Sequence, residues 1–501
     1  MGNDLLVQGG QLLGSELRTR DVLIQDGRIA RVGERLDAPA GAEVLDASGM
    51  VVLPGLINAH YHSGENFNPG LYENLPLDLW FVHSHQVTRA EPLSAEGIYA
   101  RTALGATLML RTGTTSCVDF LFEAPEITLE TLEPVVQAYR DTGMRATILL
   151  GVADKPFAES LPLDDAAGAA AREAAPPTLE GIMQLAHDAV ARWHEPDGQI
   201  GIGMGPSAPQ RCTDALLDAS LAFCRERGLA WQTHVLETKS QAFTSRRWHG
   251  KSFVERLAER GTLGPQATLV HTVWLSDRDI ELMASSGTPT VHCLMSNLRL
   301  GDGVARLPAL QEAGVRVALG TDGRGCDESL DMLELAKMTA LVHKARGGDF
   351  HRWPTAAQAL DMCTSAASIC MGHGEGLGRL EEGAHGDLSL VPADAPAFIP
   401  LHDPVRQVVY GSPSADVQTV VVGGRVVVRD GDPVGIDLPR LYEQSKRYVI
   451  DAMAGDADYK PLAQGMSAAL PHVDHFLPGH NLRSLEGLAD VLEALPAQGR
   501  R

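Results

Sequence analysis

Residues 51–62 read VVLPGLINAHYH, and the two ends of this stretch differ in kind. The first part is apolar and punctuated by Pro54-Gly55, as a buried strand is. The second part closes on Asn58-Ala59-His60-Tyr61-His62. Two histidines at i and i+2 of a strand point to one side and can reach one cation. A buried strand that ends on polar residues is how a parallel barrel places its chemistry.

The same pattern recurs downstream. Residues 114–120, 145–152, 201–205, 230–235, 268–272, 290–294 and 315–321 read as strands, and with 53–59 they number eight. Between them lie helix patterns at 132–143, 213–228, 277–287 and 307–314, each ending at Gly, the residue favoured just past a helix C-terminus. Alternating β and α units imply a parallel sheet, and eight of them in about 320 residues imply a (β/α)8 barrel of the TIM type. The predicted fold class is therefore α/β, with the barrel over residues 55–375. Short Gly-punctuated strands flank it on both sides. QDGRIARVG (25–33) is a hairpin with an Asp-Gly turn, and VGGRVVVRDG (422–431) is one with a Gly-Gly turn. These flanks predict a small β-sandwich built from both termini, residues 1–54 and 376–437. Residues 438–501 carry mixed helical patterns and read as a C-terminal helical extension, which is compatible with homo-oligomerisation.

Composition sets outer bounds. Apolar residues at 44% and charged residues at 21% exclude a disordered or coiled-coil chain. A net charge of −22 repels phosphate backbones and anionic lipid, so neither nucleic acid nor a membrane surface is expected as a partner. Seven scattered cysteines with no C-x-x-C pair do not make a disulfide framework, and a reducing, cytoplasmic setting fits. The opening MGNDLLVQGG has no signal-peptide pattern, and no run approaches the ~18 apolar residues of a membrane span.

The other strand ends complete a constellation. The fifth strand ends in His234-Val235-Leu236-Glu237, the sixth in His271-Thr272, and the eighth in Gly320-Thr321-Asp322. The seventh carries His292 through Asn297. One strand histidine alone is more often structural. Several imidazoles with a carboxylate on one barrel face suit Zn²⁺ or Fe²⁺. A second H-x-H, His83 and His85, follows LPLDLWF, which reads as helix or loop, where i and i+2 diverge.

These motifs resemble the amidohydrolase superfamily, and within it the aminated-heterocycle deaminases and triazine hydrolases, relatives of the cytosine, guanine, 8-oxoguanine and S-adenosylhomocysteine deaminases. The resemblance is carried by PGLINAHYH, by His234-x-x-Glu237, by His292-Cys293-x-x-Ser296-Asn297-Leu298-x-Leu300, and by GTDGRGCDESLDML. It spans about residues 1–435. It implies one divalent metal, zinc foremost with ferrous iron as the other candidate, held by His60, His62, His234 and Asp322. Asp322 would also be the general base, Glu237 the acid that protonates a ring nitrogen, and His271 the donor to the developing oxygen. The strand-four segment GPSAPQRCT contains no lysine that could bridge two metals, which fits a single ion, and it has Ser207 where some relatives have a histidine. The loop SGENFNPGLYENLPLDLWF lacks the Arg-Gly often found there.

Substrate contacts are expected from Glu65, Trp80, Gln210, Arg211 and His292, with Tyr61 and Phe81 as further aromatic surfaces for a flat ring. Each has a plain structural alternative, packing for the rings and a surface ion pair for Arg211. The expected activity is hydrolytic deamination of an aminated nitrogen heterocycle, a nucleobase, pterin or related small molecule. The alternatives are removal of another leaving group, such as a triazine amine or chloride or a cyclic amide, and a non-catalytic metal-binding scaffold.

Overall fold

The computed structural model describes residues 4–84, 93–124, 126–160, 175–345, 347–372 and 376–454. The chain opens with β1 (Leu5–Leu12), β2 (Arg18–Gln25), β3 (Arg28–Gly33), β4 (Glu43–Asp46) and β5 (Met50–Pro54). The barrel strands follow: β6 (Leu56–His62), β7 (Thr114–Leu121), β8 (Arg145–Val152), β9 (Ile200–Pro206), β10 (Trp231–Val235), β11 (Ala267–His271), β12 (Thr290–His292), β13 (Val317–Leu319) and β14 (Asp322–Gly323). The chain then returns through β15 (Leu388–Pro392), β16 (Thr419–Val422), β17 (Arg425–Arg429) and β18 (Asp432–Pro433).

The stretch that opened the sequence reading spans both sheets. Met50–Pro54 pairs with β15 in the terminal sheet, and Leu56–His62 pairs with β7 in the barrel. The single strand expected over 53–59 is thus two strands broken at Gly55. The terminal sheet runs β18-β17-β16-β15-β5-β1-β2-β3, with β4 on β1, so β5 against β15 is the seam between the two ends of the chain. Its core holds Leu5, Val7, Val22, Val52, Leu388 and Val421.

The barrel strands are parallel and in sequence order, as the βα alternation requires. The eighth strand is in two pieces. Val317–Leu319 bonds to the seventh strand, and Asp322–Gly323 bonds to the first, which closes the ring. At the break, a Cβ on Gly320 would lie 2.8 Å from the backbone of His60, so only glycine allows this approach. Asn58 fastens the closure: its Nδ2 donates to Thr321 Oγ1 at 2.7 Å and its Oδ1 accepts from Thr321 N at 3.1 Å.

A β-bulge shapes the first strand. Its register against β7 slips between Asn58 and Tyr61. Ile57 and Ala59 therefore face the barrel interior with Val118, Phe120, Val270 and Ala318, and His60 and His62 still face the same interior one layer higher. The displaced residue is Tyr61, which turns outward; its hydroxyl accepts from Asn66 Nδ2 at 2.5 Å.

Three predicted helices end as expected, with left-handed Gly143, Gly228 and Gly287 after Leu129–Thr142, Asp214–Arg227 and Asp277–Ser286. Thr128, Thr213 and Ser276 cap their starts. The extension begins with the helix Leu438–Ala454, whose Leu441 packs with Ala100, Ala103 and Ala138. His85 and the pattern LRSLEGLADVLEAL lie outside the described residues. All seven cysteines are buried free thiols. Among the described residues no helix is long and apolar enough to cross a membrane.

Candidate metal and catalytic site

The strand ends bring four side chains together. His60 and His62 come from β6, His234 from β10 and Asp322 from β14. The ligating atoms of His60, His62 and Asp322 lie within 4.8 Å of one another, as do those of His60, His234 and His271. Asp322 Oδ1 is 3.1 Å from His62 Nε2 and 3.7 Å from His60 Nε2.

Each of the three histidines has its outer nitrogen fixed. His60 Nδ1 donates to Gln232 Oε1 at 3.0 Å, His62 Nδ1 to the Phe120 carbonyl at 2.6 Å, and His234 Nδ1 to the Ser207 carbonyl at 2.6 Å. The Gln232 amide is itself oriented, because its Nε2 donates to the Ala59 carbonyl at 2.9 Å. With the proton on Nδ1, the Nε2 atoms of His60 and His234 offer their lone pairs inward, as a metal ligand must. For His62 burial lowers the pKa, but its bond to Asp322 and the charges of Asp322 and Glu65 outweigh it and raise it to about 9, so its Nε2 would give up a proton on binding an ion. His60 Nε2 is buried and has no hydrogen-bond partner. Burial, with the neighbouring imidazoles, holds His60 and His234 well below the usual imidazole range, so both are neutral donors.

His271 is held the other way round. Its Nδ1 lies 3.1 Å from Asn297 Nδ2, an amide donor, so Nδ1 accepts and Nε2 carries the proton. That Nε2–H faces Glu237 Oε1 at 3.5 Å and Asp322 Oδ2 at 3.9 Å. Burial pushes the ring down to about 3, so it is a neutral donor and not a cation. The three ligand-type imidazoles and this one therefore divide into acceptors and a donor.

The two carboxyls diverge as well. For Asp322 burial raises the pKa, but the bond from His62 and the His62 charge outweigh it and hold the carboxyl well below the usual carboxylate range. Ser296 Oγ donates to its Oδ2 at 2.6 Å and Gly323 N to its Oδ1 at 2.9 Å. For Glu237 burial, then Asp302 and Asp322, push the pKa well above the ordinary range, so it holds its proton. One ionised and one protonated carboxyl in a single pocket make a base and an acid. The strand ends also carry strain: Leu236, His271 and Asp322 have φ of +52°, +69° and +67°. Left-handed conformations at such residues cost on the order of 1 kcal/mol each and cluster where side chains must be aimed.

A cavity of about 800 Å³, its open mouth included, lies above these groups. Of the residues expected to touch substrate, Glu65, Trp80, Gln210 and Arg211 line it, as does Phe81. The Phe81 ring stacks on Phe157 with centroids 4.8 Å apart, and the Arg211 guanidinium lies 4.6 Å from the Phe81 centroid. Burial pushes the Glu65 carboxyl up to about 8. His292 is not among the lining residues. On β12 it is Val291 that faces the barrel interior, so strand alternation sends His292 outward, where its ring lies 5.8 Å from His343 on the helix Met332–Ala345. The chain also leaves the strand earlier than expected, turning into the helix Leu294–Arg299. Asn297 bonds to His271.

Several groups were not foreseen: Gln232, Asp78, Phe157 and Asp302. Gln232 had a signal, since i−2 from His234 on a strand is the same face. Asp78 comes from the helix Leu77–Ser84, Phe157 from the short helix Phe157–Ser160 and Asp302 from the turn after the helix Leu294–Arg299, and no spacing connects them.

The triazine hydrolase of Arthrobacter aurescens superposes with a TM-score of 0.80 at 24% identity, covering 89% of this chain and 99% of that one. A zinc-bound adenosine deaminase of Xanthomonas campestris gives 0.78 at 24%, over 90% and 99%. In sequence, the 5'-deoxyadenosine deaminase of Methanothermobacter thermautotrophicus is 32% identical over 432 residues, 85% of this chain and 94% of the relative. The 5-methylthioadenosine/S-adenosylhomocysteine deaminase of Halobacterium salinarum is 33% identical over 450 residues, 89% and 97%. The family model described as "Amidohydrolase family" matches residues 51–427, three quarters of the sequence, and the chain belongs to that family.

Proposed function

We propose that the protein is a metal-dependent deaminase of the adenine ring in a small nucleoside modified at its 5' position. The observation that carries the reading is Glu237, a buried carboxyl 3.5 Å from the imidazole donor His271 and beside Asp322, with its pKa pushed well above the ordinary range by burial and by the neighbouring carboxylates. Replacing an exocyclic amine by oxygen calls for such an acid, since the ring nitrogen gains a proton as the attacked carbon becomes tetrahedral. The adenosine-type substrate is supported by the names of relatives 32–33% identical over most of the chain.

His60, His62, His234 and Asp322 would hold the ion, and their chemistry fits: three imidazole nitrogens aimed inward, of which His60 and His234 are neutral and that of His60 is buried without a partner, and one carboxylate oxygen. We infer a single zinc, since β9 offers no lysine to bridge a second ion. When bound, the ion supplies the Lewis acidity that makes a water nucleophilic near neutral pH. Asp322 takes the proton of that water. Glu237 gives its proton to the ring nitrogen beside the attacked carbon. His271 Nε2–H donates to the oxygen as negative charge builds there. The aromatic wall of Trp80, Phe81 and Phe157 excludes water and offers flat surface to the base.

The test is ammonia release from 5'-deoxyadenosine, 5'-methylthioadenosine and S-adenosylhomocysteine, with cytosine, guanine and a chlorotriazine alongside. We expect release from the adenosine derivatives. Chloride from the triazine with silence on the nucleosides would replace the reading with the dehalogenating one.

A further inference from the structure

Glu65 and Glu237 face one cavity from opposite sides of the barrel. Glu65 lies in the turn Ser63–Glu65 after β6, the first barrel strand, and Glu237 follows β10, the fifth around the ring. Glu65 is packed against the strand that carries Asp322. Gly323 pairs with His62, and a Cβ on Gly323 would collide with the Glu65 carboxyl. A Cβ on Gly325 would lie 3.2 Å from Glu65 Oε2 and 3.3 Å from Trp80 Cζ2, so the carboxyl and the indole are neighbours across one glycine. Glu65 Oε2 is nevertheless buried with no hydrogen-bond partner. A buried acceptor is costly to leave unpaired, and on a cavity wall a ligand can supply the donor. Among the described residues Glu65 belongs to none of the side-chain clusters close enough to share an ion, so the donor it awaits is on the substrate.

We propose that Glu65 selects the leaving group: its Oε2 accepts a hydrogen bond from the exocyclic amine of the substrate. The inference rests on the deaminase reading of the site. In an adenine ring the attacked carbon bears a ring nitrogen, the amine and a ring carbon, spread evenly in one plane. With the ring nitrogen at Glu237, the amine points away from that side, and one of its N–H bonds is directed towards the first strand and Glu65. No proton crosses this contact. The amine keeps its hydrogen, and Glu65 is neither acid nor base in the reaction. A carboxyl offers an accepting oxygen whether or not it carries a proton, so the contact does not depend on the titration of Glu65. A chlorine at the same carbon brings no hydrogen and leaves Oε2 unpaired. A site built to bond a polar group rejects the analogue that lacks it.

The experiment compares two substrates of the metal-loaded enzyme, 5'-deoxyadenosine and its 6-chloropurine counterpart, which differ only in the group that leaves. The readout is the ratio of their kcat/KM values, by ammonia and chloride release. Glu65→Met keeps the length of the side chain and removes the acceptor. We expect the amine-to-chloride ratio to fall roughly 10–100-fold in this variant. A contact with the sugar, or a general packing defect, would lower both rates together, so an unchanged ratio overturns the assignment. Glu65→Gln keeps an accepting oxygen and should hold the ratio within about threefold of the unsubstituted enzyme. A loss as large as that of Glu65→Met would overturn the acceptor role. The unsubstituted enzyme separates this assignment from the reading beneath it. Silence on every adenosine derivative would overturn the deaminase reading and the assignment with it, whereas turnover with a ratio indifferent to Glu65→Met would overturn the assignment alone.

Discussion

At the residue scale, the site works by assigning opposite duties to chemically similar groups. His60 and His271 are both buried neutral imidazoles, yet Gln232 makes one an acceptor inward and Asn297 makes the other a donor. Gln232→Leu should therefore lower metal affinity roughly 10–100-fold, measured by competition with a chelator, while the fold persists. Glu237→Gln should cut ammonia release by about 10²–10⁴-fold with the metal content unchanged. In the unsubstituted enzyme Glu237 must be protonated to act and its pKa is raised, so the rate should hold through neutral pH and fall only as pH rises through that raised value. The pH profile of kcat checks the sign; a rate that falls first on the alkaline side of an ordinary carboxyl range would contradict it. The ligand candidates were legible because period-two spacing and strand ends are local properties. His292 was misjudged for the same reason: it has the right residue type at a strand end but the wrong parity. Asp302 and Phe157 were invisible because only the folded loops bring them to Glu237 and Phe81.

At the scale of elements, the first and eighth strands carry the design. The bulge between Asn58 and Tyr61 lets one strand fill the barrel floor with Ile57 and Ala59 and still aim His60 and His62 upward. The eighth strand breaks so that one piece holds the seventh strand and the other places Asp322 against the first. Gly320→Ala would put a methyl group 2.8 Å from the His60 backbone. We expect a loss of about 1–3 kcal/mol by chemical denaturation, together with weaker metal binding, because the strain falls on a ligand. Unchanged stability would mean the two strands can separate without cost. The eight-strand alternation and three helix ends were readable from apolar runs and terminal glycines. The split at Gly55 was not, because an apolar run looks the same whether one sheet or two take it up.

At the scale of the whole molecule, the terminal sheet is pinned to the barrel by a buried ion pair. Arg145, at the start of β8, donates from Nε and Nη2 to Asp387 at 3.0 and 3.1 Å, and Gly423 N donates to the same carboxylate at 2.7 Å. Breaking it with Arg145→Ala leaves a buried charge and should cost roughly 3–5 kcal/mol, read by denaturant unfolding. Burial raises the Asp387 pKa, but Arg145 outweighs it and the net shift is downward. The pair's stabilisation is therefore fully present above the ordinary aspartate value of about 3.9 and is lost as pH falls through the lower folded value. That both ends of the chain would meet in one β unit was legible from the returning Gly-punctuated strands; that Arg145 and Asp387 would join it to the barrel was not, since they lie 242 residues apart. The central claim is that one ion, held by His60, His62, His234 and Asp322, powers loss of an amine from a ring that Glu237 protonates. The measurement is ammonia release from 5'-deoxyadenosine as metal-stripped protein is titrated with zinc. We expect activity to rise from near zero and break at one equivalent per chain; activity indifferent to zinc, or a break at two equivalents, would contradict it.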